Sequence, residues 1–118
     1  MKITVVLNGG LKSCCSTYPT EMIRDTLKFW FKDTNEVKVE VIDKKEENWT
    51  PDNLAALAYD YFSDGIYPLV YIENTLATIG TLPPKNSLLA MATNQVEVGI
   101  TEQDIIEAAK RYGVVKEQ

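Results

Sequence analysis

Histidine is absent from this 118-residue chain, and with it go the commonest general base and the commonest zinc ligand. Catalytic triads and histidine-based metal sites are thereby excluded. Long apolar runs are missing too; no stretch approaches the ~20 residues that a membrane-spanning helix needs. The N-terminus has no secretory layout, because Asn8, Gly9 and Gly10 follow only the brief run Ile3-Thr4-Val5-Val6-Leu7. These absences predict a cytoplasmic protein with no membrane partner. Basic patches are also lacking: 12 Lys and Arg stand against 17 Asp and Glu, for a net charge of −5. Such a surface repels phosphate backbones, so nucleic acid is not an expected partner. The run Lys44-Lys45-Glu46-Glu47 reads as a solvated loop of mixed charge.

What is present is a pair of adjacent cysteines, Cys14 and Cys15, the only two in the chain. In a reducing compartment they read as reactive or metal-binding thiols and not as a structural bridge. Neighbouring Cα atoms lie about 3.8 Å apart, below the ~4.4 Å at which disulfides begin, so a bond between them would be strained and easily reduced. A dithiol redox site needs a resolving cysteine three residues on, and Thr17 and Tyr18 occupy those places. Two chemistries remain. One is monothiol exchange, with Cys14 as nucleophile and Thr17 as its hydroxyl partner. The other is coordination of a soft ion such as As(III), Sb(III) or Cu(I), which prefer sulfur. Two sulfurs leave a tetrahedral site half filled, so a homodimer or a protein partner would supply the rest. No cofactor is required by either reading. A third alternative is a fold kept for protein interaction with idle cysteines. A strand-to-helix turn would put the thiols at the positive end of a helix dipole, and Lys12 would add to that field.

The rest of the chain reads as alternating strands and helices. Ile3 to Leu7 is a buried strand, and Pro19 to about Lys32 carries Met22, Ile23, Leu27, Trp30 and Phe31 at helical spacing. Val37, Val39 and Val41 mark a second strand. Thr50-Pro51-Asp52 reads as a hydroxyl cap, a first-turn proline and a first-turn acid. That helix buries Leu54, Leu57, Ala58, Tyr61 and Phe62 and is stopped by Gly65. Trp49 then reads as a staple on its start, and Trp30, Phe31, Tyr59, Tyr61 and Phe62 as core. Leu69 to Glu73 and Leu76 to Ile79 form a hairpin, followed by a short helix from Asn86 to about Met91. Thr101 and Asp104 open a last helix with Ile105, Ile106, Ala109 and Tyr112 on its apolar face and Gly113 at its end. The fold class is α/β: a mixed four-stranded sheet with helices on both faces, in a single domain spanning 1–118.

This order resembles the thioredoxin-like superfamily, on the cysteines after the first strand and on Tyr67-Pro68 before the third. The resemblance covers a core of residues 2–91 and leaves 92–118 as an extension with an appended helix. It implies a thioredoxin-like sandwich in which Pro68 is cis and faces Cys14 and Cys15, so all three are the expected site residues. Cys14-Cys15-Ser16-Thr17 is similar to the turn of small arsenical-resistance metallochaperones, as are Tyr67-Pro68-Leu69 and Gly80 around the hairpin. That family binds a metalloid through three sulfurs, and the third falls at Thr20 here. The strand leading into Ile72-Glu73-Asn74 is similar to small disulfide-isomerase-like proteins of bacteria. The resemblance implies thiol-disulfide exchange or a thiol-based redox response with a protein partner, or a carrier that hands over an ion held by Cys14 and Cys15.

Overall fold

β-Branched and leucine side chains from Ile3 to Leu7 favour an extended chain buried on both sides, and β1 (Lys2–Leu7) is one of the two interior strands of the sheet in the computed structural model. The structure describes residues 2–12, 16–93 and 98–111. A small ladder of β2 (Leu11–Lys12) and β3 (Thr17–Tyr18) follows β1, then α1 (Thr20–Trp30), β4 (Lys38–Asp43) and α2 (Asn53–Phe62). A 3₁₀ turn (Ser63–Ile66) leads to β5 (Leu69–Ile72), β6 (Thr75–Ile79), α3 (Lys85–Ala92) and α4 (Glu102–Arg111). The four-stranded sheet has the order β4-β1-β5-β6. β1 and β4 are parallel, while β1–β5 and β5–β6 are antiparallel.

Side chains alternate across β1. Ile3, Val5 and Leu7 join Ile23 and Leu27 of α1, its C-cap residue Phe31, and Leu88 and Ala92 of α3 in one buried cluster. Val6 joins Ala55 and Ala58 of α2, Leu69, Tyr71 and Leu76 of the hairpin and Ile105 of α4 in a second. The period-2 pattern of the strand thus feeds two separate apolar cores.

Several local readings are corrected. α2 is capped by Asp52, not Thr50: its carboxylate accepts Ala55 N–H at 2.9 Å and the Tyr71 hydroxyl at 3.1 Å, a tertiary bond that fixes the cap. The helix ends at Phe62, where Ser63 takes φ 53°, so Gly65 lies within the 3₁₀ turn and does not stop the helix. Of the aromatics expected in the core, Phe31 is buried, but Tyr59 is 45% exposed. α4 opens as expected, with Thr101 Oγ1 accepting Asp104 N–H at 3.2 Å and Asp104 accepting Thr101 N–H at 3.0 Å. Tyr112 and Gly113, expected at its end, lie outside the described residues. Among the described residues no helix is long and apolar enough to cross a membrane.

Candidate functional site

Four strand ends meet at one edge of the sheet. Leu7 pairs with Asp43, Val6 with Leu69, and Leu69 with Ile79. The chain therefore leaves β1 through Asn8–Gly10 where β4 ends and where Pro68 leads into β5. The Tyr67–Pro68 peptide is cis, as expected. Cys14, Cys15 and Ser13 lie outside the described residues. Their flanks are described. Leu11 pairs with Tyr18 and Lys12 with Thr17, antiparallel, so the cysteines belong to the connection of a short hairpin.

That hairpin corrects the expected strand-to-helix turn. α1 begins only at Thr20, behind the ladder residues Thr17 and Tyr18 and the cap residue Pro19. The sequence missed it because two-residue strands carry no readable period. Its base requires glycine: Gly10 has φ +88°, and a Cβ there would collide with the Tyr18 carbonyl oxygen.

Asp43 holds this base together. It is 2% exposed, and its carboxylate accepts Gly9 N–H at 2.9 and 3.1 Å, Gly10 N–H at 2.9 Å and Lys45 N–H at 2.9 Å. The Thr20 hydroxyl donates to it at 2.5 Å. Burial pushes the Asp43 carboxyl up, but the bonds from Thr20, Gly9, Lys45 and Gly10 outweigh that and hold it at about 2. One ionised side chain thus grips both feet of the segment that carries the cysteines. Thr20, where the metallochaperone resemblance implies a third sulfur, spends its hydroxyl on Asp43. The buried side-chain oxygen of Asn8 has no partner among the described residues.

Two lysines of the run read as solvated also turn toward this edge. A Cβ on Gly9 would lie 3.3 Å from Lys45 Nζ, so the Lys45 ammonium covers the turn after β1. Lys44 Nζ stands 5.2 Å from the Tyr67 ring centre and 6.0 Å from that of Tyr59. Sequence reasoning singles out Lys12 and passes over Lys45, Lys44 and Asp43 at this end of the sheet. The signal available was weak: these residues follow the parallel partner of β1, where strand ends converge. Among the described residues no group of three or more His, Cys, Asp or Glu side chains could hold a metal ion.

No family model matches the chain. No curated protein and no solved structure matches it either.

Proposed function

We propose that this protein is a thioredoxin-like thiol protein that works through Cys14 and Cys15 in exchange with a disulfide-bearing or thiol-bearing protein partner. The observation that carries the reading is that Pro68 leads into β5 beside the end of β1, with Val6 paired to Leu69, where the chain passes into the hairpin of β2 and β3. The strand order and directions, and the packing of α1 with α3 and of α2 with α4, support a layered helix–sheet–helix sandwich of this kind.

In the exchange step a Cys14 thiolate attacks a partner disulfide. A new S–S bond forms to Cys14, the partner's S–S bond breaks, and the departing sulfur leaves as a thiolate. With no cysteine three residues on, an external thiol must resolve the mixed disulfide, so turnover of insulin with dithiothreitol should barely exceed the uncatalysed rate. Lys45 brings positive charge to Gly9 at the end of β1, and a cation close to a thiol favours its thiolate. Alkylation by iodoacetamide across pH, followed by mass spectrometry, tests the reading. A midpoint well below the free-thiol value of about 8.5, with one glutathione gained from its disulfide, supports it. An ordinary midpoint and no adduct overturn it. A mass gain of one arsenic with no glutathione adduct would favour the carrier alternative, in which two Cys thiols and arsenite form two As–S bonds and release water.

A further inference from the structure

A cleft of about 320 Å³ opens beside the Tyr67–Pro68 bond, with Lys44, Asn48, Trp49, Tyr59, Asp60 and Tyr67 in its walls. Three aromatic side chains, Trp49, Tyr59 and Tyr67, share these walls with the apolar Pro51, Ala55, Ala56 and Ile66. Trp49 and Tyr67 meet edge to face with ring centres 6.3 Å apart, so Trp49 is a wall of this cleft and not only a staple on α2. Lys44 reaches across two tyrosine faces and makes no ion pair among the described residues. Asp60, the opposing charge in the wall, already has a partner. In a chain of net charge −5, a cation set over aromatic rings and in no ion pair among the described residues is a place where an anion is attracted.

We infer that this cleft binds a small aromatic carboxylate. The ligand's ring packs among Trp49, Tyr59 and Tyr67, and its carboxylate meets the Lys44 ammonium. The volume is at the lower end of small-molecule sites, which suits a one-ring ligand and excludes a dinucleotide. Charge selects the ligand class. An amine with the same ring would place a second cation against Lys44, and Asp60 already has a partner of its own. The site needs neither cysteine, so it stands or falls separately from the thiol reading.

The chain has two tryptophans, Trp30 and Trp49, so an ¹H–¹⁵N spectrum of the intact protein reports the cleft through one of two indole signals, assigned with Trp30→Phe. Titration with 4-hydroxyphenylacetate should move the Trp49 signal saturably and leave Trp30 in place. Tyramine, with the same ring and the opposite charge, should not. Lys44→Met keeps the apolar stem and should weaken binding about tenfold or more, the scale of one charge-assisted contact. Tyr59→Ala, at an exposed position, should weaken it without altering the rest of the spectrum. An unmoved Trp49 signal, equal binding of tyramine, or full affinity in Lys44→Met would each overturn the inference. A double Cys14→Ser, Cys15→Ser variant should bind as the parent does, and loss of binding there would also count against it.

Discussion

Replacing Asp43 by asparagine should destabilise the protein and also remove a defined part of its acid sensitivity. The carboxylate takes bonds on both oxygens from three backbone N–H groups and one hydroxyl. An asparagine of the same shape accepts on one oxygen only, and its amide N–H₂ must face donors on the other side. Leaving buried donors unpartnered beside a lost charge costs roughly 2–4 kcal/mol at neutral pH. The pH term is separate and has a fixed sign. Because the folded carboxyl is held at about 2, below its ordinary 3.8, it contributes stability at any pH above the unfolded value and loses it as pH falls toward 2. The gap amounts to roughly 2 kcal/mol, with about half gone by pH 3 and most by pH 2.

Urea denaturation of the parent and of Asp43→Asn at pH 7, 5, 4, 3 and 2 measures both terms. The other carboxylates titrate in both proteins, so the difference between the two curves isolates Asp43. That difference should be flat from pH 7 to about 5 and then shrink as acid is added. Thr20→Val serves as the milder perturbation. It deletes the hydroxyl that donates to Asp43 while keeping the side-chain volume, and should cost about 1.5–3 kcal/mol. Parallel curves for parent and Asp43→Asn down to pH 2 would refute the reasoning, as would Asp43→Asn as stable as the parent at pH 7.

Tyr71 should be the last of the six tyrosines to ionise, because burial first and the Asp52 carboxylate second push its phenol up. Absorbance at 295 nm should show one tyrosine silent until alkaline unfolding; the stability tied to it is intact below the ordinary value of about 10 and is lost as pH rises further. Tyr71→Phe should lower stability by about 0.5–1.5 kcal/mol by removing the donor to the α2 cap. Gly10→Ala forces a side chain into the Tyr18 carbonyl at φ +88° and should cost about 1–3 kcal/mol in thermal or urea unfolding. Gly65→Ala meets nothing within 4 Å and should be neutral or stabilising by up to about 1 kcal/mol, so equal effects at the two glycines would be wrong for this backbone. Cys14→Ser and Cys15→Ser should each lose most of any affinity for a trivalent arsenical in native mass spectrometry, since each removes one of two neighbouring sulfurs; undiminished binding in both would end the carrier alternative.

The parts of this fold legible in the sequence are those whose cause is local. Thr101 and Asp104 are three residues apart and cap α4 reciprocally, so the motif announces itself. The valines of β4 alternate, and alternation is visible in any window of a few residues. The cap of α2 was misread at Thr50 because Asp52 is chosen partly by Tyr71, nineteen residues away and on another element. Helix spacing likewise nominated Tyr59 for the core, but that residue stands exposed beside a cleft made with a loop and with Tyr67. A single sequence window holds no record of either neighbour.

Asp43 shows most clearly how this edge is built. In the sequence it is only the residue between a valine-rich strand and a charged run, and both neighbours suggest solvent. The parallel pairing of β4 with β1 places it opposite Leu7, just where Gly9 and Gly10 turn their N–H groups toward its carboxylate. A buried carboxylate is tolerable only when donors surround it, and positive-φ glycines at 9 and 10 present two N–H groups in succession, a concave arrangement suited to an anion. The glycines thus have a role beyond flexibility. They make a nest that the protein fills with its own anion, and the same contact fixes the start of the hairpin whose connection contains Cys14 and Cys15. With the nest filled from within, Lys44 and Lys45, the exposed residues that follow Asp43 in the chain, are cations that this edge presents to solvent.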